Sequence, residues 1–153
     1  MSTATESPRT DAGAEMGQVF VDFDVVNSED LDRAEDGSLA PGREGTLKLR
    51  GVRADTGASL LCLARHLVTE LGLREMATVP VHTAAGYREA RLFRNAVSRF
   101  EGRDAVVDVL ELPDDAAPLL GALPMERLGI ELDLQARSVR LLPLGPRNTF
   151  LTA

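Results

Sequence analysis

Cysteine, aromatic residues, lysine and long apolar runs are all scarce in this chain, and each shortage excludes something. A single cysteine, Cys62, stands among 153 residues, so no intrachain disulfide and no cysteine-based zinc site can form. Within Leu60-Leu61-Cys62-Leu63 it reads as a small buried hydrophobe. No uninterrupted apolar stretch approaches the roughly 20 residues of a membrane-spanning helix. Basic side chains are outnumbered 24 to 17 by acidic ones, for a net charge of -7. That balance leaves no basic surface for counterion release, so neither nucleic acid nor anionic membrane is expected as a partner. The basic residues are nearly all arginine, with Lys48 the one lysine, which reads as coding bias. His66 and His82 are the only histidines, and neither has a second histidine at metal-binding spacing. No paired-histidine metal site is therefore expected. Serine-hydrolase and phosphate-cradling motifs are also missing.

What is present is the composition of an ordinary globular chain, 44% hydrophobic and 27% charged, long enough for one domain and short for two. Met1 to Glu15 is rich in Ser, Thr, Ala and acidic residues, without the basic start and apolar core of a secretory signal. The expected organisation is a disordered tail over 1–16, a domain over 17–143 and a C-terminal tail over 144–153, in the cytoplasm.

Val19, Val21, Phe23 and Val25 alternate with Phe20, Asp22 and Asp24, the period-two pattern of a half-buried strand. Asn27 to Glu44 reads as a long polar loop. Its acidic residues do not make a calcium loop: counted from Asp30, Ala34 occupies a ligand position and Glu35 the place of the turn glycine. Thr46 to Asp55 is extended again, and Ala64 to Leu71 has helical spacing stopped by Gly72. Two hairpins are expected next: Thr78–Ala84 with Arg88–Phe93 through Ala85-Gly86-Tyr87, then Ala96–Phe100 with Ala105–Leu112 around Glu101-Gly102-Arg103-Asp104. A short helix over Pro124 to Leu128 and a last hairpin, Ile130–Asp133 with Ser138–Leu142, complete the chain. The fold class is mainly β with one or two short helices.

One pentapeptide carries chemistry. Asp55-Thr56-Gly57-Ala58-Ser59 places a carboxylate before a small turn-forming pair at the end of an apolar strand. With a hairpin carrying Gly86 and with Leu119-Leu120-Gly121 running into a short helix, it makes the chain resemble the retroviral-type, retropepsin-like aspartic peptidases, in particular their small bacterial members, from about Gln18 to Leu142.

That resemblance implies a single-lobe acid-protease barrel and a homodimer acting as an endopeptidase on peptide or protein substrates. The chain has one such motif, so the second carboxylate has to come from a second copy. Two carboxylates ~3 Å apart cannot both ionise, and the shared proton lets one act as base on water while the other donates to the scissile carbonyl; aspartic proteases are the standard example of that principle. By the same resemblance, Asp55, Thr56 and Gly57 are the catalytic residues. Thr56 would reach across the two-fold axis, and the side-chain-free Gly57 would let backbone approach the carboxylates. Ala58 stands where pepsin-like enzymes carry a hydroxyl that favours the ionised aspartate, so an activity optimum milder than strongly acid is expected. Ser59 either contacts substrate main chain or satisfies its own turn. Thr83, Gly86 and Tyr87 belong either to a flap closing over substrate or to an ordinary hairpin turn.

Arg53 departs from the family pattern, which has an aliphatic residue there. Period two puts it on the face of the catalytic carboxylate. It can oppose the effect of Ala58, line a pocket that prefers acidic substrate residues, or point away to solvent or another acid. An alternative function follows from it: a retropepsin-like peptide-binding or dimerisation module with little or no hydrolysis.

Overall fold

The alternation at the start of the chain becomes a strand because one of its faces is wholly apolar: Val19, Val21, Phe23 and Val25 are buried, while Phe20 and Asp22 are exposed. A computed structural model of the chain describes residues 18–40 and 42–143. The tails expected at 1–16 and 144–153 lie outside these residues. The described elements are, in order, β1 (Val19–Asn27), α1 (Ser28–Asp36), β2 (Thr46–Ala54), β3 (Leu61–Ala64), α2 (Arg65–Leu71) and β4 (Arg74–Thr83). They continue with β5 (Gly86–Phe100), β6 (Arg103–Leu112), β7 (Leu119–Leu120), α3 (Ala122–Leu128), β8 (Ile130–Asp133) and β9 (Ser138–Leu141). Strand dominates, so the fold is mainly β.

Seven strands form one sheet in the order β1-β2-β7-β3-β6-β5-β4, and β1 also pairs with the C-terminal part of β5 through Asp24↔Arg99 to Asn27↔Ala96. The sheet thus turns back on itself as a ring, with β4 attached outside it along β5. Within the ring lies the core, including Val19, Val52, Leu61, Leu63, Val109 and Leu120, joined by Val68 and Leu71 of α2 and by Met125 and Leu128 of α3. β8 and β9 form a separate hairpin whose Ile130 is buried in the same core.

Three helices replace the one or two expected, because Asn27 to Glu44 is not all loop. Helix α1 has no buried residue, so it has no apolar stripe to betray it. End effects define it instead. Asn27 accepts a hydrogen bond from the Glu29 amide, Glu29 and Asp30 sit in the first turn, Arg33 lies in the last, and Gly37 closes it at φ +86°. The buried Asn27 amide also donates to the carbonyls of Leu71 and Gly72, both at 3.0 Å. One side chain therefore caps the start of α1 and the end of α2.

The two central hairpins share a strand. β5 runs unbroken from Gly86 to Phe100, bending where Asn95 takes φ +67° and the register with β6 shifts. Their turns are tighter than expected. Ala84-Ala85 joins β4 to β5, with Gly86 beginning β5 at φ +111°, and Glu101-Gly102 joins β5 to β6 with both φ values positive. The second is the mirror-image turn that matches strand twist.

Candidate active site

The strand leading to Asp55 is re-aimed just before it arrives. Arg50 and Gly51 of β2 form a bulge opposite Asp22, whose carboxylate accepts the Gly51 amide at 2.8 Å. Beyond the bulge Val52 and Ala54 face the core, and Arg53 faces outward. Asp55 leaves the strand at the mouth of the ring, where β7 lies between β2 and β3, parallel to the first and antiparallel to the second.

Four backbone hydrogen bonds shape the turn. The Asp55 amide donates to Leu120 O at 2.9 Å and the Ala58 amide to Asp55 O at 3.1 Å. The amides of Ala122 and Leu123, at the start of α3, donate to Ala58 O at 2.8 Å and Ser59 O at 3.0 Å. The loop is thereby fastened to the β7–α3 junction. Gly121 makes the fastening possible: a Cβ there would fall 2.7 Å from both Ala58 O and Leu60 N, and against Leu60 O. No other residue type permits that approach without moving the loop.

The carboxylate is oriented as well as placed. Asp55 Oδ1 accepts the Gly57 amide at 2.8 Å, and a Cβ on Gly57 would come within 3.1 Å of the same oxygen. Asp55 Oδ2 receives Arg53 Nη2 at 3.2 Å. The pair is only partly shielded, with side-chain exposures of 43% for Arg53 and 34% for Asp55. The sequence surroundings of Val52, Ala54, Leu60 and Leu61 suggest a carboxylate costly to bury; the outward turn instead leaves it facing solvent. Of the readings open for Arg53, the contact with Asp55 itself is the one observed.

Thr56, Gly57 and Ser59 are exposed and Ala58 is half-buried. Neither the Thr56 nor the Ser59 hydroxyl makes a hydrogen bond among the described residues, so Ser59 does not satisfy its own turn. Thr56 borders a cavity of about 400 Å³ lined by Met125 and Glu126 of α3 and by Ile130 and Leu132 of β8. Thr83, Gly86 and Tyr87 lie apart, on the β4–β5 hairpin. There the Thr83 hydroxyl donates to Gly86 O at 2.7 Å and accepts the Ala85 amide at 3.2 Å, and exposed Tyr87 pairs with His82 at 4.7 Å between ring centroids. No hydrogen bond, ion pair or ring contact joins this hairpin to the Asp55 loop among the described residues.

Sequence reasoning overlooked the neighbours of Arg53. In the sheet it stands between Phe20 of β1 and Leu119 of β7, and Leu119 stands opposite Cys62 of β3. These four side chains share the face turned away from the core. Phe20 is 56% exposed. Cys62 is buried yet belongs to this face and not to the main core cluster. Burial, with a contribution from the Asp55 charge, pushes its thiol up to about 11. The signal available in the sequence was the period-two placement of Phe20 and Arg53, but only strand register sets them side by side.

A second charged cluster lies on β5 and β6. Glu111, buried, is clamped by Arg91 through Nε–Oε1 at 2.9 Å and Nη2–Oε2 at 2.7 Å, with Arg65 Nε 3.7 Å away. Arg91 also covers the Phe93 ring at 5.3 Å. Both oxygens of Glu111 are occupied by this clamp, which makes it a structural ion pair. Among the described residues no group of three His, Cys, Asp or Glu side chains could hold a metal ion, and no helix is long and apolar enough to cross a membrane.

No family model matches the chain, and no curated protein matches it.

Proposed function

We propose that the chain is one half of a retropepsin-like aspartic endopeptidase, completed by a second copy that brings a second Asp55 against the first. The observation that carries this reading is the Asp55 turn. A carboxylate is held by a backbone amide on one oxygen, fastened through four backbone hydrogen bonds and a glycine that tolerates no Cβ, and still left 34% exposed in the single chain. Both oxygens have partners within the chain, yet the pair with Arg53 stays partly open to solvent, so the carboxylate is held in place and still reachable. The unpartnered Thr56 hydroxyl beside it suits a contact across a two-fold axis.

In the dimer the two Asp55 carboxylates share one proton. The ionised partner removes a proton from water as the oxygen attacks the peptide carbonyl, while the protonated partner donates to the carbonyl oxygen. The tetrahedral intermediate then breaks its carbon–nitrogen bond as the newly protonated carboxyl donates to the leaving amine and the intermediate's hydroxyl returns a proton to the other carboxylate. Gly57 N–H keeps the carboxylate oriented through both steps. The β4–β5 hairpin, with Thr83, Gly86 and exposed Tyr87, serves as the cover over an extended peptide, and Ala58 and Ser59 meet the peptide main chain.

One observation favours a second reading. The Arg53 contact at 3.2 Å occupies Asp55 Oδ2, and a carboxylate so engaged suits a peptide-binding or dimerisation module that hydrolyses little. Cleavage of a peptide library by the purified protein, beside Asp55→Asn, separates the two. Cleavage by the wild type that disappears in Asp55→Asn supports the peptidase; equal activity in both rejects it.

A further inference from the structure

Four arginines of the sheet have acidic partners remote from the candidate site: Arg50 pairs with Asp24, Arg74 with Glu29, Arg91 with Glu111 and Arg99 with Asp104. Among the described residues Arg53 has only Asp55, through one of its N–H groups. A guanidinium offers five donors in a planar fork, so the rest of the Arg53 fork remains open beside the carboxylate, 43% exposed. Its walls are apolar. Phe20 and Leu119 flank it in register, one on each neighbouring strand, and the row continues on the same face through Cys62 and Leu110 to Leu92.

Charge counting sharpens the point, and it rests on the peptidase reading. Two carboxylates sharing one proton carry a single negative charge, whereas two copies of Arg53 bring two positive ones. The completed site then holds one uncompensated positive charge, bordered by apolar surface, although each chain as a whole carries a net charge of -7. Such a spot favours a ligand with methylenes for the walls and a carboxylate for the fork.

We infer that Arg53 is a specificity residue, selecting peptides with an acidic side chain, glutamate foremost, next to the scissile bond. The substrate carboxylate takes the open edge of the guanidinium, and its methylenes lie against Phe20 and Leu119. Arg53 keeps its bond to Asp55 throughout, so selection and orientation use different N–H groups.

The test uses peptides that differ only in Glu, Gln or Leu on each side of one cleavable bond, with wild type, Arg53→Leu and Arg53→Gln. Wild type is expected to cleave the Glu peptide with kcat/KM at least tenfold above the Gln peptide. Arg53→Leu should lose that ratio and favour Leu, and Arg53→Gln, which keeps a polar side chain of similar reach, should lose it as well. In parallel, labelled Glu and Gln peptides are titrated into Asp55→Asn protein by fluorescence anisotropy, with Glu expected to bind about tenfold tighter and to weaken with added salt. A Glu-to-Gln ratio near one in both assays, or one unchanged in the Arg53 variants, overturns the inference. Tighter Glu binding without cleavage of any peptide by wild type supports Arg53 selection and rejects the peptidase reading instead.

Discussion

Gly121 lies against the carbonyl of Ala58 so closely that a Cβ on it would stand 2.7 Å from that oxygen. The contact ties the β7–α3 junction to the loop carrying Asp55, and the amide that follows, from Ala122, donates to the same carbonyl at 2.8 Å. The position of the carboxylate is thus set by a segment more than sixty residues further along the chain, roughly the length of half a small domain.

Gly121→Ala should displace the Asp55 loop or lose the hydrogen bonds from α3. Forced overpacking of a closed backbone contact costs about 1–3 kcal/mol, and any peptidase activity should fall far more than stability does. Urea denaturation beside peptide hydrolysis checks both; a variant with unchanged stability and activity would show that the contact gives way freely.

Asn27→Ala should be the more damaging change for the fold itself. It removes the cap on α1 and leaves the carbonyls of Leu71 and Gly72 without their donor. Cap loss costs ~1 kcal/mol and an unsatisfied buried acceptor about 1–3 kcal/mol. Asn27→Asp keeps the acceptor for the Glu29 amide but sets a carboxylate oxygen against the Leu71 and Gly72 carbonyls, so its stability should fall at least as far as that of Ala. Equal stability of all three proteins would remove Asn27 from its bridging role.

Cys62 gives a pH test. Its thiol is pushed up to about 11 from an ordinary 9.0, mainly by burial. The folded chain therefore keeps a proton that the unfolded chain releases. Stability from this group is complete below pH 9 and is lost as pH rises through 11, about 3 kcal/mol for the full shift. Wild type should lose stability relative to Cys62→Ala over that window, and native Cys62 should react slowly with thiol reagents at neutral pH. Rapid labelling of native protein at pH 7 would contradict the burial.

Which elements can be read from the sequence follows from what defines each one. β1 and the run into Asp55 carry their apolar alternation openly, and α2 has a buried stripe and a terminating glycine. Helix α1 buries nothing, so a search for periodicity passes over it, although Asn27, Glu29, Asp30, Arg33 and Gly37 spell out both of its ends. β5 reads as two strands because the bend at Asn95 interrupts its pattern. Asp55 and its turn are visible as a motif, and period two puts Arg53 on the face of Asp55 without fixing their contact. The flanking of Arg53 by Phe20 and Leu119, and the burial of Glu111 under Arg91, depend on register between strands distant in sequence, which local pattern does not encode.

In the proposed peptidase each site needs two Asp55 carboxylates, one from each chain. Wild-type protein is mixed with increasing proportions of Asp55→Asn at constant total concentration, subunits are allowed to exchange, and peptide hydrolysis is measured. Mixed dimers hold one carboxylate and one amide, so activity should fall as the square of the wild-type fraction, to about one quarter at equal proportions. Activity that falls only in direct proportion to wild-type protein, to one half, would mean that a single chain carries the whole site.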